Sequence, residues 1–123
     1  MNIRGVGVSI SDRARIWFCV AIIIVLISGC RTRDRNRAIT ETNHAVEQYE
    51  RGDYSAALYN LDEAISHDPD HFMAHYYRAL ILVEHYGSLD SAIQDLDIAL
   101  ALAPDHVESR YLLGKAHHLL GNL

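Results

Sequence analysis

The strongest constraint on this chain is an internal repeat. "GDYSAALYNLDEAISHDPDH" (residues 52–71) and "GSLDSAIQDLDIALALAPDH" (residues 87–106) align at an offset of 35. Gly52 matches Gly87, Tyr54 Leu89, Ala57 Ala92, Leu58 Ile93, Leu61 Leu96, Ala64 Ala99, Ile65 Leu100 and Pro69 Pro104. Within each copy the apolar residues fall at i, i+3, i+4, i+7, i+10 and i+11, which is one stripe of an α-helix. A glycine before the stripe suits a left-handed turn, and a proline after it stops the helix. A period of this length means a small helical unit that must stack on its neighbours to bury its apolar face.

A second type of helix precedes each glycine. "NHAVEQYERG", "YRALILVEHYG" and "LLGKAHHLLG" place a small residue, Ala45, Ala79 or Gly114, seven or eight residues before the glycine. A small residue recurring at one point of a helix predicts a close helix–helix crossing there. The spacing of these helices is 34 and then 35 residues, and the extra residue lies in "EHYG", at the turn containing Tyr86.

These residues resemble the tetratricopeptide repeat, a helix–turn–helix unit of 34 residues. The match rests on Ala45, Gly52, Tyr54, Ala57, Leu61, Ala64 and Pro69 in the first copy. In the second it rests on Ala79, Leu82, Gly87, Ala92, Leu96, Ala99 and Pro104, and in the third on Leu113, Gly114 and Gly121. The resemblance implies an all-α solenoid of about two and a half repeats and five helices. The repeats span about 38–71, 72–106 and, in part, 107–123. Where the family often carries Trp or another large apolar residue early in the first helix, this chain has Glu41, His75 and Arg110. That departure implies looser packing between repeats.

The resemblance also implies a peptide-binding groove lined by the first helix of each repeat. Its sites carry over to Thr42, Val46 and Tyr49, then Met73, Tyr76, Leu80 and Val83, then Tyr111, Lys115 and His118. The Lys and Asn clamp with which some members hold chaperone tails is absent. Thr42 with Val46, Tyr76 with Leu80 and Tyr111 with Lys115 stand in those places. The groove is aromatic and aliphatic instead. Tyr76 and Tyr111 can serve either ligand contact or packing between repeats.

Charge divides the chain. Residues 38–123 carry four basic side chains against fourteen acids, a net −10, whereas residues 30–37 carry Arg31, Arg33, Arg35 and Arg37 against Asp34, a net +3. A domain this acidic argues against nucleic acid, whose phosphates need clustered Lys and Arg. The two cysteines, Cys19 and Cys30, lie outside the acidic domain, so it holds no internal disulfide.

Residues 16–27, "IWFCVAIIIVLI", are all apolar. A bilayer-spanning helix needs about 18–20 such residues and a signal-peptide core about 7–15, so the length favours a signal peptide. Ile27-Ser28-Gly29-Cys30 resembles the lipobox of bacterial lipoproteins, with Ile27 where Leu is usual. That resemblance implies cleavage before Cys30 and acylation of its thiol, palmitate included. Residues 1–29 would then be a signal peptide, 30–37 a lipidated cysteine with a basic tether, and 38–123 the repeat domain. Arg31 next to the cysteine resembles lipoproteins sorted to an outer membrane. Basic residues on both sides of the core leave the topology open, so an uncleaved single-pass anchor stands as the alternative.

Catalytic signatures are missing: there is no glycine-rich phosphate loop, no His-Glu-x-x-His and no nucleophile elbow. Asp62-Glu63 and Asp95/Asp97 read as the solvated outer face of the second helices. His71 and His75 are four apart, a spacing that suits two metal ligands on one helix face. The repeated Pro-Asp-His explains His71 and His106 as helix-start residues, however, with Asp70 and Asp105 as N-caps and Glu108 completing a near capping box. Adjacent His117 and His118 point about 100° apart and do not share a metal easily. The expectation is no enzyme, no metal and no cofactor beyond the lipid on Cys30.

Leu112, Leu113, Ala116, Leu119 and Leu120 of the last helix cannot all face the preceding repeat, so Leu119 and Leu120 form a candidate association patch. Truncation of a longer protein, homodimerisation and completion by a partner all account for it. Two readings of function follow. One is a scaffold or assembly factor of the bacterial cell envelope, held to the cell or outer membrane on its extracytoplasmic face and binding a protein or peptide. The other is an accessory subunit whose open last helix docks on a larger complex.

Overall fold

A computed structural model describes residues 10–123. Arg4, part of the basic flank of the leader, lies outside the described residues. The helices are α1 (Ile10–Glu50), α2 (Tyr54–His67), α3 (Phe72–Ile81), α4 (Leu89–Leu102) and α5 (Val107–Gly121), with a π-helical turn at Leu82–Tyr86. No strand occurs among the described residues. The fold is the all-α helical repeat that the periodicity predicts. The chain divides into two compact units, Met1–Arg33 and Asp34–Leu123.

In the first unit the apolar side chains of α1, from Ile16 through Ile27, are exposed. By length and composition the helix is apolar enough to cross a membrane, a property it shares with signal sequences. Cys19 and Cys30 are free and exposed.

The second unit starts four residues before the boundary expected at 38. Arg35 lies 3.6 Å from Asp68, and Ala38 is fully buried. Part of the basic segment is thus helical and engaged with the repeats. Among the described residues, nine of the fifteen buried hydrophobics are alanine, so the helices approach closely. They form two successive clusters. The first gathers Ala38, Ala45, Ala57, Leu61, Ala64, Ala74 and Ile81; the second gathers Ala79, Val83, Leu89, Ala92, Leu96, Leu112 and Ala116. The second helix of each repeat packs between two first helices, as solenoid stacking requires.

Sequence punctuation works as its physics dictates. Gly52 and Gly87 have φ of 81° and 66°, the left-handed region that favours glycine. The Asp53 carboxylate accepts a 3.2 Å bond from the Ala56 amide and caps α2. The π turn ends at Gly87, and both Gly87 N–H and Ser88 N–H donate to the Leu82 carbonyl. An extra residue placed within a helix widens one turn in this way, which accommodates the 35-residue spacing.

Three expectations need correction. Asp70 and Asp105 are not caps. The caps are His71, which makes no capping side-chain bond, and His106, whose Nδ1 accepts from the Ser109 amide at 3.2 Å. Each helix starts one residue later than expected, so Glu108 pairs with the His106 ring at 3.4 Å and completes no capping box. Gly114 does not make the close crossing on α5. It is exposed with open space where a Cβ would stand, and Ala116, two residues on, is buried in that role.

The third correction concerns Asp95 and His75. Asp95 lies i+3 from Ala92 and i−4 from Ala99, on the edge of the buried stripe, and is itself buried. Arg78 Nε and Nη2 donate to its two carboxylate oxygens at 2.8 and 2.6 Å, and Arg78 Nη1 donates to exposed Asp62 at 2.7 Å. His75, the polar residue that stands where the family often carries a large apolar one, is buried as well. Its Nδ1 lies 3.1 Å from Asp95 and its Nε2 2.9 Å from the Pro69 carbonyl. Both partners are acceptors, and a neutral ring can donate to only one of them. Asn60, the equivalent of Asp95 in the first repeat, donates to Gln48 at 2.7 Å. Both second helices therefore use this position for a polar bond back to the preceding helix.

Burial pushes the Asp95 carboxyl up, but bonds from His75 and Arg78 outweigh it and hold the group below the ordinary value of 3.8. A depressed carboxylate stabilises the fold above that ordinary value, and the contribution is lost as pH falls through the lowered one. Asp95→Asn should cost about 3–5 kcal/mol at neutral pH, because Arg78 keeps a half-buried charge with its partner gone. Thermal melts should show the gap to wild type narrowing as pH drops below about 4. A gap independent of pH would deny the carboxylate this role.

Candidate functional site

The first helices and the π turn are tied together by one carboxylate. Glu84 sits on the widened turn. It accepts from the Tyr49 hydroxyl of α1 at 3.0 Å and from Lys115 Nζ of α5 at 3.3 Å. Burial first, then Glu84, pushes the Tyr49 phenol up to about 12. Tyr49 packs on Tyr54 with ring centroids 5.7 Å apart, and Tyr54 stacks on His85 at 3.5 Å and 18° between planes. The aromatic ladder fills the space beside the π turn.

Beyond Glu84, α3 and α5 enclose a groove of about 350 Å³. Tyr76, Leu80 and Leu112 line its depth, with Val107 and Tyr111 on one wall and Glu84, Glu108 and Lys115 among the other residues that line it. Tyr111 is 73% exposed and Val107 68%, whereas Leu112 is buried. Tyr76 is half-buried. Its ring meets those of Tyr77 and His106 edge-on at 5.1 and 5.0 Å, and it packs against the second core cluster. Burial pushes its phenol up, and Tyr77, Glu108 and Glu84 add to the effect.

Of the residues expected in the groove, Tyr76, Leu80, Tyr111 and Lys115 come together here. The others are placed elsewhere. Val83 is buried in the second core cluster, one turn after buried Ala79 on the same helix face. Tyr49 belongs to the aromatic ladder, and Met73 is half-buried outside the groove lining. His118 is exposed and accepts a 3.2 Å bond from Asn122. Thr42 is buried, with its hydroxyl donating to the Ala38 carbonyl at 2.8 Å, and Val46 is half-buried. Leu119 and Leu120 are exposed at 39% and 37%, with Leu112 and Ala116 buried behind them and Leu113 packed at the edge.

The sequence reading missed Glu84, Val107, Glu108 and Leu112. A positional signal was present for all four. Glu84 follows Leu80 by four residues, Val107 and Glu108 precede Tyr111 by four and three, and Leu112 precedes Lys115 by three, so each shares a helix face with an expected groove residue. Among the described residues no group of three or more His, Cys, Asp or Glu stands together as a metal site requires. The arrangement offers an apolar slot with charged edges, suited to holding a side chain rather than to moving a proton.

A family model, the tetratricopeptide repeat, matches residues 42–97 and 86–123. Comparison with curated proteins gives no match.

Glu84→Gln removes the charge that both Tyr49 and Lys115 face. One tyrosine should then ionise at lower pH than in wild type, visible as a shifted step in an ultraviolet titration. The stability cost should stay near or below about 1 kcal/mol, since Lys115 and Glu84 are partly exposed. An unchanged titration curve would mean Glu84 does not hold the Tyr49 hydroxyl.

Proposed function

The chain belongs to the tetratricopeptide-repeat family, and from that premise we propose that it is a membrane-anchored scaffold or assembly factor of the bacterial cell envelope. Such repeats generally bind protein partners and are typically not enzymes. The observation that carries the reading is the α3–α5 groove, an apolar slot with Tyr111 and Val107 left open to a ligand. Aromatic side chains offered in this way are the usual anchors of an interface.

The anchor is part of the same proposal. Cleavage before Cys30 and acylation of its thiol would leave a lipid at the start of a short basic segment. More than one acyl chain holds a protein stably at a bilayer, where a single chain does not. Arg31 and Arg33 beside anionic headgroups would favour surface contact, while the acidic repeats would be repelled from it. The short apolar core and the small residues Ser28 and Gly29 support this reading. An uncleaved single-pass anchor is the second reading, supported by the exposed apolar length of α1.

Two measurements test these parts separately. Tyr111→Ala should lower capture of the native partner at least tenfold with little change in melting temperature, because the ring is mostly exposed. Tyr76→Ala should lower both, since that ring also packs between repeats. Partner capture unchanged in Tyr111→Ala, but lost on making Leu119 and Leu120 polar, would favour the accessory-subunit reading. Mass spectrometry of the N-terminal peptide should find acylated Cys30 as the first residue. Recovery of an unmodified peptide from Met1 would establish the uncleaved anchor instead.

A further inference from the structure

We infer that the α3–α5 groove takes a peptide segment in which one large apolar side chain is flanked by lysine or arginine. The inference rests on the groove reading above and adds the chemistry of the occupant. At about 350 Å³ the slot is at the small end of ligand-site volumes, roughly 300 to 1,000 Å³, with room for a side chain or two of a segment lying across it. Its depth offers only apolar contact from Leu80, Leu112 and the Tyr76 ring.

The charge at the edges selects the neighbour of that side chain. The groove is lined by two carboxylates, Glu84 and Glu108, and one cation, Lys115. Lys115 is already paired with Glu84 at 3.3 Å, whereas Glu108, with 65% of its side chain exposed, has only the His106 ring beside it at 3.4 Å and keeps its other carboxylate oxygen for a ligand. The Tyr76 phenol lies within the same negative field, with Glu108 and Glu84 both opposing its ionisation. Around the groove, residues 38–123 carry a net charge of −10. An acidic segment would meet repulsion both at the groove edge and at long range, and a basic one attraction. A second cavity with a cation, lined by Asp62, Arg78 and Asp95 among others, offers no comparable selection, because Arg78 is already bonded to both carboxylates.

The test uses the full chain in neutral detergent micelles and three fluorescent peptides. Each carries the same single phenylalanine, flanked by lysine, by glutamine or by glutamate, and anisotropy reads the binding. The lysine peptide should bind about three- to tenfold tighter than the glutamine peptide at low salt, and the glutamate peptide weakest. The advantage should shrink in 0.5 M salt, where screening shortens to about 4 Å, and in Glu108→Gln, a variant at an exposed site that leaves the core intact. Tyr111→Ala should weaken all three peptides together. Equal binding of the lysine and glutamine peptides, both lost in Tyr111→Ala, would overturn the charge inference while the groove reading stands. Binding indifferent to Tyr111→Ala would overturn both. Binding of none of the three would overturn this inference alone, since capture of the native partner tests the groove separately.

Discussion

The repeat domain depends on how closely its helices approach, and one buried carboxylate sits in the joint between α3 and α4. Asp95 on α4 faces α3, a joint lined by alanine on both sides. Alanine brings helix backbones together but supplies little burial of its own. Arg78 and His75 of α3 close on Asp95, Arg78 reaches on to Asp62 of α2, and His75 reaches the Pro69 carbonyl before α3. One ion cluster thereby spans the end of the first repeat and both helices of the second. Such a cluster is strongly destabilising to break, because each charge left behind is unpaired. It also fixes the azimuth of α3, and with it the direction in which Tyr76 and Leu80 point.

That azimuth matters because the groove is built from the opposite edge of the same helix. The π turn after Ile81 adds a second adjustment. It carries Glu84, which sits between Tyr49 of α1 and Lys115 of α5. Glu84 therefore links three inner helices across the space where a ligand would lie, and Tyr76, Leu80 and Tyr111 are left to form the slot. The groove is narrower than the family pattern implies, because six of its expected residues lie outside its lining, three of them buried or in the aromatic ladder. Thr42 and Val83 are buried, Tyr49 is hydrogen-bonded, and Met73 stands outside.

Much of the fold was legible in the sequence. The glycine-to-proline frame, the apolar stripe and the 35-residue offset give the helix order and the two left-handed turns. What escaped were features set by contacts between repeats. Asp95 reads as polar and therefore solvated, and nothing local announces that Arg78, seventeen residues away, will neutralise it. His71 and His106 took the cap positions because each helix begins one residue after the Pro-Asp-His pattern suggests, a margin common to helix ends. The groove was half legible. Tyr76, Leu80, Tyr111 and Lys115 follow from the repeat pattern; Glu84 and Glu108 share a helix face with them, but their partners follow only from the widened turn and the late start of α5.

The central claim is that ligand is held between α3 and α5 and not on the outer face of the last helix. The most direct measurement is the position of a bound peptide. A photo-crosslinking peptide bound to the full chain and mapped by mass spectrometry should label Leu80, Val107 and Tyr111. Labelling confined to Leu119 and Leu120, with none between α3 and α5, would contradict the account.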